Sequence, residues 1–323
     1  MVGTFFNMLS AQQDAMFTKY MFNQLSYNPA YAGSYEFMSV NAVYRNQWWG
    51  FEGGPESQTL TVHTPIANNR IGLGMSLIND RIGPQVGTTT ANLAYAYHIP
   101  LGKGGGKLSI ALQGGITNYR ANFNLLGVRE VNDEAFTDMT PNKWLPNFGT
   151  GIYYYSKHLY VGASVPHVLN NDLRSDAGTV RWAMQYRHYY FMVGGMVPIN
   201  STIKFKPSLL VKNVGLFGEF RNSDALNFTA APTEFDLDLS LLFYDMFWVG
   251  ASARGAFETF NGKSSMDSAD IWAAYYLKNG LRIGLSYDYN LTKIQQFAQG
   301  TFDVMLGYDF NYKEKKIVTP RYF

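Results

Sequence analysis

Cysteine is absent from this chain of 323 residues, which excludes a disulfide framework and any thiolate metal site. Charge is scarce as well. Asp, Glu, Lys and Arg together make up 15% of the residues, against about 25% in soluble domains. The net charge is only +2 and no basic stripe is present, so nucleic acid is not the main partner. No run is long and apolar enough for a membrane helix. The best stretch, His188 to Ile203, is broken by Gly194-Gly195, Pro198 and Asn200, and it falls short of the roughly 20 apolar residues that a span needs. If such a chain crosses a membrane, it does so as a closed barrel.

Catalytic patterns are missing too. The histidines, His63, His98, His158, His167 and His188, form no i, i+4 pair and no Glu-adjacent helix motif of the zinc hydrolases. Ser164 and His167 are near in sequence, but no Gly-x-Ser-x-Gly elbow exists. Gly102–Gly106 lacks the Lys-Ser/Thr ending and the following helix of a phosphate cradle, and it reads as a hairpin turn. The expectation is a protein without catalytic residues, metal or cofactor.

What the chain does have is aromatic residues, glycine and alternation. Aromatics reach 16%, with 23 Tyr, 23 Phe and 31 Gly. Apolar and polar residues alternate through fourteen segments, from Phe37–Tyr44 to Thr301–Tyr312. The clearest is Phe235, Leu237, Leu239 and Leu241 set against Asp236, Asp238 and Ser240. Tight turns at 67–70, 102–106, 156–157, 199–201, 244–246 and 278–280 interleave with longer connections. The longer ones lie at 48–56, 79–87, 120–146, 166–180, 215–233, 258–267 and 290–299. An even strand number, with short turns on one rim and long loops on the other, is the pattern of an outer-membrane barrel. A soluble sandwich also alternates, but it has little reason to sort its loops by length. Because a charge facing lipid is costly, the apolar series should face outward and the charged series inward. The predicted fold is therefore all-β: a 14-stranded antiparallel transmembrane β-barrel of the bacterial outer membrane. Both termini fall on its short-turn, periplasmic side.

Ahead of the first strand lies an apolar knot. Residues 1–11 read as the back of a truncated signal peptide lacking its charged front. Asp14 can cap a short helix in which Phe17, Tyr20, Met21 and Leu25 recur at spacings of three and four. Asn28-Pro29 and Gly33 then turn the chain. A helix this short is marginal alone, so Phe17, Tyr20, Met21, Phe22, Leu25, Asn28, Pro29 and Tyr31 are expected to plug the lumen. Residues 12–35 form that plug segment, 36–312 the barrel and 313–323 a periplasmic tail. Arg45, Trp48, Trp49, Phe51 and Trp144 are candidates for a partner-binding rim; the aromatics suit an interfacial belt equally well.

The same stretch carries a resemblance. "YMFN" at Tyr20–Asn23, "NPAYAG" at Asn28–Gly33, "RNQWWGFEGGP" at Arg45–Pro55 and the ending Thr319-Pro-Arg-Tyr-Phe323 are similar to motifs of the PorP/SprF family. Those proteins are outer-membrane barrels of Bacteroidetes associated with type IX secretion and, in some members, with gliding adhesins. The resemblance implies a non-enzymatic role in bringing a secreted type IX substrate or surface adhesin to the cell surface, or holding it there. Other secretion components and outer-membrane lipid are the further partners it implies. A structural link between the outer membrane and the periplasmic secretion ring is one alternative, and a passive or hydrophobic-solute channel is another.

Overall fold

The computed structural model describes residues 19–102, 105–122, 140–172, 184–185, 187–214, 233–260 and 263–310. Among them, no helix is long and apolar enough to cross a membrane. Fourteen strands form the ring. The first half comprises β1 (Ser39–Asn46), β2 (Glu56–Ile66), β3 (Ile71–Ile82), β4 (Val86–Leu101), β5 (Gly106–Ala121), β6 (Asn142–Tyr155) and β7 (Leu159–Val165). The second half comprises β8 (His188–Gly195), β9 (Ile203–Val214), β10 (Glu234–Phe243), β11 (Phe247–Phe260), β12 (Lys263–Tyr276), β13 (Leu281–Asn290) and β14 (Thr301–Asp309). Each strand pairs antiparallel with the next, and β14 closes on β1 from Ser39↔Asp309 to Asn46↔Phe302. Val197–Pro198 adds a short ladder to β9, and Asn171–Asp172 pairs with Met184–Gln185 outside the ring.

Burial is inverted relative to a soluble protein. Leu93, Leu112 and Ile271 are 66%, 69% and 66% exposed, whereas Ser109, Asp238 and Asp288 are buried. Period two puts these two series on opposite faces of the sheet. An apolar exterior around a polar interior makes sense only if the surrounding medium is hydrocarbon. On β10, Leu237 faces out, while Asp238 accepts hydrogen bonds from Ser252 Oγ and Trp272 Nε1, each at 2.7 Å. Leu237→Arg is therefore expected to harm assembly more than Asp238→Asn, whose amide oxygen can still accept. The first change costs about 2–4 kcal/mol near the midplane. Equal folded yields of the two variants by heat-modifiable gel mobility would refute this assignment of faces.

Two of the expected long connections are strands instead. Between β3 and β4 only residues 83–85 turn, because the ladder runs on through Arg81↔Gly87 and Ile82↔Val86. Gly83 there has a φ of +61°, suited to a tight reversal. Likewise β11 and β12 stay paired at Phe260↔Lys263. The β3–β4 extension is hidden from alternation because Thr88, Thr89 and Thr90 make both faces of β4 polar there, Thr90 bonding the Thr117 hydroxyl of β5 at 2.8 Å. Threonine still fits the pleated sheet.

The seam between the last and first strands is stitched by charge. Arg282 lies 2.9 Å from Asp309 and donates to Ser39 Oγ at 2.8 Å, while Ser39 donates to Asp309 at 2.7 Å. Higher up, the Arg45 guanidinium holds Asp303 at 2.8–2.9 Å and Asp288 at 2.8 Å.

Candidate functional site

Residues 19–33 pack against the inner faces of the strands. The described part of the expected Asp14–Leu25 helix instead makes 3₁₀ turns at Tyr20–Phe22 and Gln24–Ser26, and a third, Pro29–Tyr31, follows where Asn28-Pro29 was expected to turn the chain. Asn23 separates the first two at φ −140° and ψ 46°, neither helical nor extended. A spacing of three and four serves a helix with one apolar face, but here the environment surrounds the segment on every side. Three residues per turn send successive side chains in different directions. Asp14 and Phe17 lie outside the described residues.

Each direction finds a wall. Phe22 packs against Trp248 of β11 and Trp272 of β12, with ring centroids 5.0 and 5.1 Å apart. Tyr20 donates to Ser208 of β9 at 2.8 Å. Tyr27 meets Tyr190 of β8 edge-on at 5.1 Å, and Tyr31 meets Tyr153 of β6 at 5.6 Å. Burial pushes the Tyr20 and Tyr31 hydroxyls well above their ordinary range, so both stay neutral. Leu25 is buried, Met21 is half-buried, and Pro29 starts the third turn.

Several polar groups of the segment are met by the same walls. Gln24 accepts from Tyr153 Oη at 2.9 Å, and the Tyr27 carbonyl accepts from Ser164 Oγ at 2.6 Å. The hydroxyl of Ser164 is thereby committed to the segment rather than to His167. Asn28 caps the third turn through Ala30 N at 2.9 Å and donates to the Ile152 carbonyl at 2.9 Å. Its amide sits where a Cβ on Gly151 would stand, so glycine is required there. The segment leaves through Gly33, whose φ of +68° and contact with Gly72 leave no room for a side chain on either residue. His98 Nε2 donates to the Ala32 carbonyl at 3.0 Å, and His63 Nδ1 accepts from Gly33 N at 3.3 Å.

At the other end of the described segment, Lys19 pairs with Asp270 of β12 and stands 3.8 Å from Asp288 of β13. Arg45 completes this buried group from β1. Contacts with β2, β4, β6, β7, β8, β9, β11, β12 and β13 surround the segment, which is possible only from within the ring. Sequence reasoning missed Lys19, Asp270, Asp288 and Asp303 as specific partners. For the three carboxylates the only signal was charge at alternate strand positions, which says where a side chain points but not what it meets.

The candidate rim residues do not form one group. Arg45 is not at the rim at all: it is 3% exposed and bound inside to two carboxylates. Trp48, Trp49 and Phe51 lie in one loop after β1. Trp49 packs on Phe302 with centroids 4.6 Å apart, and Phe51 meets Trp48 edge-on at 6.2 Å. Trp144, 65% exposed, lies on the outward face of β6 with Phe148, and strands β2–β5 separate it from that loop. Among the described residues, no group of three or more His, Asp or Glu residues has metal-site geometry.

The profile of a family described as "Type IX secretion system membrane protein PorP/SprF" matches residues 9–308. No curated protein matches the chain. Among solved structures, the CymD monoaromatic hydrocarbon channel is similar at 10% identity and a TM-score of 0.51, with 91% of this chain and 92% of that one covered. The Ralstonia pickettii toluene transporter TbuX is 12% identical with a TM-score of 0.48, covering 90% and 92%. A Pseudomonas aeruginosa FadL homologue is also 12% identical, with a TM-score of 0.46 and coverage of 90% and 94%. At such identities the likeness is one of fold.

Proposed function

The chain belongs to the PorP/SprF family of type IX secretion system membrane proteins, and from that premise we propose that it is a non-enzymatic component serving a protein partner rather than a solute. In this reading it helps a large secreted surface protein or adhesin to reach, or to stay on, the cell surface. The observation that supports it is the occupied lumen. The segment from Lys19 to Gly33 is bonded to walls on all sides, so the segment acts as a plug and a solute would have to displace it. The interior it fills is charged and hydrogen-bonded, unlike a path for hydrocarbons.

The long connections face outward and the termini face the periplasm in this reading, which antibody labelling of a tag inserted between Ala121 and Asn142 tests on intact cells. Function is tested by removing the protein from its own cells and measuring how much type IX cargo reaches the surface. Cargo should fall while small hydrophobic solutes enter at the normal rate. Normal surface cargo with impaired solute uptake would overturn the proposal in favour of a channel.

A further inference from the structure

The interior segment turns toward β1 at a hinge held by two histidines. Gly33 sits there at φ +68°, with Gly72 so close that neither residue has room for a side chain. Two consecutive peptide groups at the hinge are gripped from the wall. The Ala32 carbonyl faces His98 Nε2 of β4 at 3.0 Å, and the Gly33 N–H faces His63 Nδ1 of β2 at 3.3 Å. Both rings are buried, His98 at 1% and His63 at 2% exposure.

The two grips answer a proton differently. A carbonyl only accepts and a backbone N–H only donates. His98 therefore carries its hydrogen on Nε2, and its Nδ1 lies 3.2 Å from the Tyr155 hydroxyl. A second proton on that Nδ1 leaves the bond to Ala32 intact, because a hydroxyl can turn from donor to acceptor. His63 has no such freedom. Its Nδ1 must be bare to accept from Gly33, which puts the hydrogen on Nε2, buried with no hydrogen-bond partner among the described residues. A proton on Nδ1 would set one N–H against another. No free counter-charge faces the ring either. Tyr31 and Tyr35 meet it edge-on at 5.2 and 5.1 Å, and Ser39 and Gly74 are its partners on β1 and β3. His98 and Arg282 are the basic groups that act on it. Asp309, next along the row from Ser39, is engaged by Arg282 at 2.9 Å and by Ser39 at 2.7 Å.

We propose that His63 is a proton-operated latch on the segment, seated when the ring is neutral and released by acid. With Gly33 in place, His63 takes no second proton without losing the bond. With Gly33 withdrawn, the ring meets water and titrates at the ordinary histidine value of about 6.5. Only the released state then gains a proton as the pH falls. The seated state is therefore favoured in full above that value and loses ground below it. A single proton shifts the equilibrium by at most about tenfold per pH unit, which sets a ceiling of about 25-fold between pH 7 and pH 5.

The test uses the whole protein in planar bilayers, with the pH stepped from 7 down to 4. Opening events should be rare at pH 7 and about tenfold more frequent at pH 5, the rise beginning near the histidine value of about 6.5. His63→Gln supplies an amide oxygen that can accept from Gly33 but does not titrate. It should lose that rise, whatever its opening rate at pH 7. The buried carboxylates around Lys19 define the competing outcome, since carboxylates ordinarily titrate near about 4. A rise that persists in His63→Gln, or that begins only below about pH 5, belongs to them and overturns the latch. A protein that stays closed over the whole range overturns it too, and leaves the plug standing. A steady pore already at pH 7 overturns the plug, on which the latch rests, and the latch with it. If His63→Gln does not fold, as judged by heat-modifiable mobility, the pH at which the unaltered protein begins to open decides alone.

Discussion

Excision of Gln12–Ala30 is expected to turn a barely conducting barrel into a steady pore, with conductance in planar bilayers rising at least about tenfold. Interior width grows with strand number: about 8 strands are filled by their own side chains, and 16–18 leave an aqueous channel. A ring of fourteen lies between these limits, so its cross-section needs added matter to close. Here Tyr20, Phe22, Leu25 and Tyr31 supply it from the centre, reaching walls as far apart as β6 and β12. Once they are gone, what remains is a lumen lined by Asp, Arg, Ser and Tyr, which water enters readily. A large, steady pore from the intact protein would defeat the plug. So would unchanged conductance in a truncated barrel shown to be folded. If truncation prevents folding, Phe22→Ala provides a milder route. It removes the ring wedged between Trp248 and Trp272, at about 3–5 kcal/mol, and should produce flickering openings in place of a steady closed state.

Arg45→Met is expected to be the most damaging single substitution in the wall, lowering stability by about 3–5 kcal/mol. The guanidinium lies 2.8 Å from Asp288 and 2.8 Å from Asp303, with all three side chains buried. Removing it leaves two carboxylates, with Lys19 3.8 Å from Asp288 and Arg254 as a second cation acting on Asp288. The cost comes from stranding charge rather than from losing an attractive pair, so relieving the stranded charge should help. Arg45→Met combined with Asp288→Asn and Asp303→Asn should recover a good part of the loss. Arg45→Lys should fall between, because it keeps the charge but cannot hold both partners at once. Urea titration of the folded barrel in detergent micelles, followed by gel mobility, reads these differences. A single variant as stable as the parent, or a triple variant no better than the single, would contradict the account.

The barrel was legible because its alternation is set by two solvents, hydrocarbon outside and a polar lumen inside. Phe235–Leu241 shows this in seven residues, and the structure keeps those faces. Where both faces become polar, at Thr88–Thr90 and Thr117, the signal vanishes although the strands continue. Arg45 was placed correctly by its strand position, on the series opposite Tyr44, and misplaced by its sequence neighbours Trp48 and Trp49. Alternation was the better guide, since it reflects the side-chain direction that adjacency ignores. The interior segment was legible as an apolar knot but not in its conformation. A helical period presumes one buried face, and Tyr20, Phe22, Leu25 and Tyr27 are buried in four different directions.

The charged seam between β14 and β1 bears on how the barrel is made. Ser39 and Asp309, and Arg45 and Asp303, are among the most distant partners in sequence, and neither pair can form while the sheet is still open. During insertion the open sheet carries Arg45 on its first edge and Asp303 on its last. Unpaired, both are poorly tolerated anywhere near hydrocarbon. Joining the edges in the native register neutralises them together, whereas a slip of one residue would turn one of the two charges outward. The seam thus acts as a proofreading step: the final ring closure is favoured only in the alignment that hides both charges from lipid, and it leaves no free strand edge for another chain to join.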